Sequence, residues 1–255
     1  MRPEGPVSVG FVGAGNVLPA YLQVLDRLVP RGLASEGPIC AREPARRDEL
    51  RARRPRSTLV GDPVDVIESD VDVIVVITPP STHGGLVRQA LEAGKHVVVE
   101  KPFASGREEG EELARIAADR GLNLLAAPFV QLAPTVRLLW TLVRDGAIGQ
   151  VHTARGLYGN AGAGWAAWYH RNGAGPQPEI GIYNLKSLTA LLGPATEVLA
   201  AEAVAVERLS EQRHQCRQGG REPYAIRGEG VDVVHGCSDR TTAVNGGGKV
   251  CGCQL

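Results

Sequence analysis

Along the first 127 residues, apolar positions follow two periods in turn. Short apolar runs mark strands at Val7–Val12, Pro38–Ala41 (weak), Ser57–Val60 (minor), Val71–Ile77, His96–Val99 and Leu122–Ala127. Val71–Ile77 is nearly unbroken and β-branched, the pattern of a strand covered on both faces of a parallel sheet. Between these runs the spacing becomes helical. Val17, Tyr21, Leu25 and Leu28 form one stripe within Val17–Val29. Pro44–Arg54 is polar, rich in good helix formers, and opens on a proline suited to a first turn. Pro63–Glu68 predicts a short helical turn, and Gly94 and Gly121 stop helices over Gly85–Ala93 and Arg107–Arg120. Strands alternating with helices predict right-handed βαβ units wound onto both faces of one parallel sheet, an α/β fold.

The pattern then changes. Pro134–Arg144 predicts a longer helix that ends at Asp145-Gly146, and Val151–Tyr158 alternates like a strand open on one side. A loop rich in Gly and Trp, Gly159–Gly175, leads to a helix over Ile180–Leu192 with Gly193-Pro194 as its stop. Val198–Val206 is strand-like. From Glu207 onward only Val231–Val234 has the pattern of a strand, and Gly219-Gly220 and Gly246–Gly248 break any longer element. No internal repeat is present.

Composition narrows the function classes. Of 255 residues, 28 are basic and 28 acidic, a formal charge of zero. Nucleic acid and anionic membranes select a basic surface, so neither is expected as the main partner. Arg46, Arg47, Arg51, Arg53, Arg54 and Arg56 do cluster, but acids and prolines interrupt them and no aromatics interleave, which predicts a solvated helix face. No apolar run reaches the roughly 18 residues of a membrane span. Met1–Gly5 leads straight into a strand without the apolar core of a signal peptide, so a soluble cytoplasmic protein is expected. Cys40 stands alone, whereas Cys216, Cys237, Cys251 and Cys253 fall near the C-terminus. Cys251-x-Cys253 is not a zinc knuckle and the other cysteines lack paired neighbours, so no metal site is expected.

Candidate chemistry gathers at strand ends. Gly13-Ala14-Gly15-Asn16-Val17-Leu18 follows the first strand and opens a helix. Gly13 suits a tight turn there, Gly15 a close backbone approach to a pyrophosphate, and the helix offers free N–H groups and its positive end. Leu18 takes the place of the third glycine. The second strand ends in Cys40-Ala41-Arg42, without the acid that would hold a ribose 2′-hydroxyl. Arg42, with Arg46 and Arg47 just beyond, suits a 2′-phosphate, which favours NADP over NAD. Val71–Ile77 runs into Thr78-Pro79-Pro80-Ser81-Thr82-His83, and His96–Val99 into Glu100-Lys101-Pro102. Both loops lie where parallel sheets bind ligands. His83 suits either a cofactor contact or a cap on the following helix, and His96 reads as structural.

The glycine turn, the Thr78–His83 loop and Glu100-Lys101-Pro102 together resemble the glucose–fructose oxidoreductase / inositol dehydrogenase / rhizopine-catabolism (Gfo/Idh/MocA) family. The resemblance continues through Asp145–Gly149, Gly181–Leu185 and Leu192–Pro194 and covers residues 6–206. It implies a Rossmann domain over 6–128, with Gly13, Gly15, Asn16, Val17, Arg42, Thr78, Pro79, His83, Glu100, Lys101 and Pro102 around NADP or NAD. It also implies a second, α+β domain that binds substrate, pairs subunits and carries an open, mostly antiparallel sheet. Residues 129–206 would supply only part of that domain. Residues 207–255 match nothing and read as an atypical tail, with disorder as one outcome and a disrupted reading frame or truncation as the expected cause.

The resemblance assigns roles as well. Lys101 would reach the nicotinamide ribose and the substrate hydroxyl. Glu179-Ile180-Gly181-Ile182-Tyr183 matches a run that is Asp-x-Gly-x-His in many members, which makes Tyr183 the acid/base and Glu179 its orienting carboxylate. Glu for Asp extends that side chain by one methylene. A phenol ordinarily titrates near 10, and a neighbouring ammonium favours its ionised form. Trp168 resembles the loop aromatic beside the nicotinamide. With Trp165, Tyr169 and His170 it would line a pocket or serve packing. The implied reaction is hydride transfer between a nicotinamide cofactor and a sugar, cyclitol or related polyol or carbonyl. The alternative is a nucleotide-binding remnant or regulatory protein of the same family.

Overall fold

The computed structural model describes residues 5–157, 180–197, 224–228 and 231–235. The chain divides into two units, Met1–Gly193 and Pro194–Leu255.

The first unit is built on six parallel strands: β1 Val7–Val12, β2 Ala34–Cys40, β3 Leu59–Val60, β4 Val73–Val76, β5 His96–Val99 and β6 Leu124–Ala126. Their spatial order is β3-β2-β1-β4-β5-β6, the doubly wound arrangement the alternation predicts. Helices α1 Leu18–Leu28, α2 Pro44–Arg53, α3 Pro63–Ile67, α4 His83–Glu92 and α5 Arg107–Asp119 connect the strands. Neighbouring positions on one strand feed opposite faces. Phe11, Val75 and Ile77 join Leu18, Leu22 and Leu25 of α1 and Leu50 of α2 in one core. Val12, Ile74 and Val76 join Val87, Ala90 and Leu91 of α4 and Leu113 and Ala117 of α5 in the other. Ile74, Val76, Val97 and Val99 are all at most 1% exposed, which explains why the central strands read as continuous apolar runs.

β2 is longer than its apolar pattern predicts. It starts at Ala34 and passes through Gly37 and Pro38, because β1 supplies a parallel neighbour from Val7↔Ala34 onward. The proline adds no obstacle near the edge of a sheet, where one missing N–H is tolerated.

Helix α6, Pro134–Arg144, has the predicted bounds, and α7, Ile182–Leu192, follows a π-helical turn at Ile180 and Gly181, so helical backbone runs from the predicted start. Residues 151–157 form no strand, although their alternation predicts one. Alternation makes a strand only where a neighbour accepts its hydrogen bonds, and among the described residues none lies beside this segment. Gly156 instead lies against Asn184 of α7. The predicted strand Val198–Val206 and the Gly159–Gly175 loop lie outside the described residues, and so does most of the expected second-domain sheet. In the second unit, β7 Tyr224–Gly228 pairs antiparallel with β8 Val231–His235. The expected strand over Val231–Val234 is thus one arm of a hairpin, and its partner runs through a stretch whose isolated apolar residues predict none.

Candidate functional site

The crevice between β1 and β4, where the strand order reverses, receives three loops. The first is the glycine turn after β1. Gly13 has φ +111°, and a Cβ there would stand 2.8 Å from the carbonyl group of Ile77, so both backbone conformation and the neighbouring strand demand glycine. Gly15 is the opposite case. A Cβ there meets nothing within 4 Å, and Gly15, Asn16 and Val17 are all exposed at the start of α1. Backbone N–H groups at an open helix start, with the macrodipole behind them, fit a pyrophosphate. Leu18, in the third glycine's place, is fully buried beneath α1, so it fills the helix–sheet contact that the missing glycine would otherwise close.

The arginines beyond β2 divide by task. Arg46 donates to the Ala14 carbonyl of the glycine turn at 2.8 Å and pairs with Glu49. Arg47 donates to the carbonyls of Ala41 at 2.6 Å and Arg42 at 2.7 Å. Both brace the turn and the strand tip. Arg42 is exposed at that tip and makes no ion pair among the described residues. The 2′-phosphate reading therefore rests on Arg42.

The second loop follows β4. The Thr82 hydroxyl lies 2.7 Å from Thr78 Oγ1 and 2.8 Å from the Pro79 carbonyl. His83 differs from both sequence readings. It is 1% exposed, and the side-chain cap position before α4 is Thr82. Its Nε2 lies 2.7 Å from the Thr78 carbonyl and its Nδ1 2.7 Å from the Pro102 carbonyl. Both ring nitrogens thus face main-chain carbonyls of the two loops, and the imidazole stands between the end of β4 and the end of β5. Burial removes it from the surface a cofactor would touch, a task the motif alone could not reveal.

The third loop, after β5, carries Glu100, Lys101 and Pro102, with a cis Lys101-Pro102 peptide. The Lys101 ammonium lies 5.8 Å from the centroid of the Tyr183 ring, at the first turn of α7. The two residues expected to move the proton are thus neighbours, although they belong to different motifs. Glu100 turns inward: its Oε1 accepts from the Tyr21 hydroxyl at 2.9 Å and its Oε2 from the Lys101 backbone N–H at 3.1 Å. Burial and then the Glu100 carboxylate push the Tyr21 phenol well above its usual range. Tyr21 was not singled out from the sequence, because a phenol at helical spacing on α1 reads as core packing. Glu179 and Trp168 lie outside the described residues, as do Trp165, Tyr169, His170 and the four C-terminal cysteines.

A doubly wound sheet with a glycine turn at its switch point defines a dinucleotide-binding domain. Residues 7–127 match the model of GFO_IDH_MocA, the oxidoreductase family with an NAD-binding Rossmann fold. The chain is 27% identical over 198 residues to the dTDP-3,4-didehydro-2,6-dideoxy-alpha-D-glucose 3-reductase of Actinomadura kijaniata, matching 77% of this chain and 59% of that one. It is 33% identical over 115 residues to the inositol 2-dehydrogenase of Rhodococcus jostii, matching 44% of this chain and 31% of that one. Its backbone follows the WlbA dehydrogenase of Chromobacterium violaceum, solved with NADH and UDP-GlcNAcA, with a TM-score of 0.65, 21% identity, 75% of this chain and 57% of that chain covered. The chain spans less than two thirds of each of these relatives. No helix among the described residues is long and apolar enough to cross a membrane.

Proposed function

We propose that this chain is an NAD(P)-dependent oxidoreductase that interconverts a hydroxyl and a carbonyl on a sugar, cyclitol or related polyol, with Lys101 and Tyr183 carrying the proton. The observation that supports this most directly is the 5.8 Å approach of the Lys101 ammonium to the Tyr183 ring at the C-terminal end of the sheet. The relatives named above carry sugar and cyclitol substrates in their names, which supports the same substrate class.

Gly13, Gly15, Asn16 and Val17 would hold the pyrophosphate, Arg42 the adenosine 2′-phosphate of NADP, and Thr78, Pro79, Glu100 and Pro102 the walls around the nicotinamide. When bound, the nicotinamide supplies the hydride acceptor or donor. In the oxidation direction Tyr183 takes the hydroxyl proton onto its phenol oxygen. The ammonium of Lys101 holds the substrate oxygen by hydrogen bond and favours the phenolate that must accept the proton. In reduction the same phenol returns the proton to the oxygen that becomes a hydroxyl. Glu179 would orient the pair, and Trp168 would flank the nicotinamide. Subunit pairing through the second domain is the expected assembly.

Fluorescence titration with NADPH and NADH, followed by a panel of polyols, aldoses and sugar nucleotides, tests the reading. Turnover of at least one hydroxyl or carbonyl substrate, lost in Lys101→Ala, is expected. Tight cofactor binding without turnover across the panel would replace it with a nucleotide-binding or regulatory role.

A further inference from the structure

Tyr21 stands on α1, the helix that opens from the glycine turn, and is half-buried. Its hydroxyl donates to one oxygen of the Glu100 carboxylate at 2.9 Å, and the other oxygen accepts the Lys101 N–H at 3.1 Å. One carboxylate therefore joins the helix that follows the Gly13–Gly15 turn to the peptide that carries Lys101. Tyr183 lies close enough to Tyr21 to raise its phenol further. The two tyrosines thus share one neighbourhood but face different groups: Tyr183 the Lys101 ammonium, Tyr21 the Glu100 carboxylate. A half-buried phenol that keeps its proton beside a carboxylate serves as a donor and not as a base.

We infer that Tyr21 is a positioning residue for the reaction proposed above: acting through Glu100, it sets the spacing between the glycine turn and the Lys101 main chain. Cofactor and substrate then meet Lys101 in one geometry. The role rests on the oxidoreductase reading, but the coupling it needs is a property of the resting protein. An anchor bonded to a charged group is worth enough to matter, since such hydrogen bonds are the stronger kind. Misplacing a reacting group costs rate even when nothing that touches substrate has changed.

The test uses the full chain with Tyr21→Phe, which removes one hydroxyl and keeps the ring. Amide hydrogen exchange resolved at Lys101 is expected to quicken about tenfold while the Val97–Val99 amides keep their rates. NADPH is expected to bind about threefold more weakly, and kcat to fall about tenfold with the substrate KM nearly unchanged. Because the effect passes through Glu100, adding Tyr21→Phe to Glu100→Gln should cost less than about a further twofold. Unchanged Lys101 exchange, unchanged NADPH binding and kcat, or full multiplication of the two effects would each overturn the role. If the unmodified chain turns over nothing, the oxidoreductase reading fails by itself, while exchange and NADPH binding still decide for or against Tyr21. Should Tyr21→Phe loosen the whole sheet, Glu100→Gln alone applies the same readings from the other end of the bond, and unchanged Lys101 exchange there overturns the coupling.

Discussion

Lys101 reaches the crevice from the end of β5 and Tyr183 from α7, and their meeting there separates two kinds of loss. Tyr183→Phe keeps the ring that faces the ammonium and removes the hydroxyl proposed to carry the proton. Steady-state kinetics should show kcat lower by about 10²–10⁴-fold, with NADPH affinity within about twofold of the parent. Arg42 acts on a different quantity. Because Arg46 and Arg47 are committed to backbone carbonyls, Arg42→Ala should reduce the preference for NADPH over NADH by about 10–100-fold, read from paired dissociation constants. A parent chain that already prefers NADH would remove Arg42 from that role. Lys101, Tyr183 and Arg42 can be proposed from the sequence because each belongs to a motif or stands at a strand tip. Tyr21 is not legible, because its partner lies 79 residues along the chain and its spacing is that of an ordinary packing residue.

Elements carry two further tests. His83 stands between the loops after β4 and β5, with a main-chain carbonyl of each within 2.7 Å of one ring nitrogen. His83→Ala removes a buried imidazole and the N–H that one of these carbonyls accepts, and urea unfolding should show a loss of about 2 kcal/mol. Helix α5 begins at a glycine cap, and Glu109 reaches back to the Ser105 backbone N–H at 2.6 Å and its hydroxyl at 2.7 Å. The backbone hydrogen bond from Ser105, then that of its side chain, holds the Glu109 carboxyl below its ordinary value of 4.5. A lowered folded-state value means that the stabilisation is fully present above 4.5 and is lost as pH falls below it. Glu109→Gln should therefore cost about 1 kcal/mol at neutral pH, with the gap to the parent closing on acidification. The helices of this half are well predicted because capping and amphipathic spacing are local. The reach of β2 back to Ala34 is not, since a strand through Gly37 and Pro38 exists only because β1 lies beside it.

At the scale of the molecule, a ligand that binds the folded Met1–Gly193 unit must stabilise it. NADPH at about a hundred times its dissociation constant should add about 2.7 kcal/mol, visible as a rise of several degrees in the thermal midpoint. A midpoint that does not move with cofactor would contradict the pyrophosphate site at Gly13 and Gly15. What the sequence alone determined is the succession of strands and helices over residues 7–127 and the loops that hold the glycine turn, Thr78 and Lys101. Those features follow from burial period and turn chemistry, which neighbouring residues set among themselves. The tertiary structure alone decided that Leu18 replaces a glycine by packing, that His83 stands between two loops, that Arg46 and Arg47 are committed to backbone carbonyls, and that Glu100 ties Tyr21 to Lys101. Each of these depends on which distant side chains meet when the sheet takes its order, and such meetings leave no period in the chain.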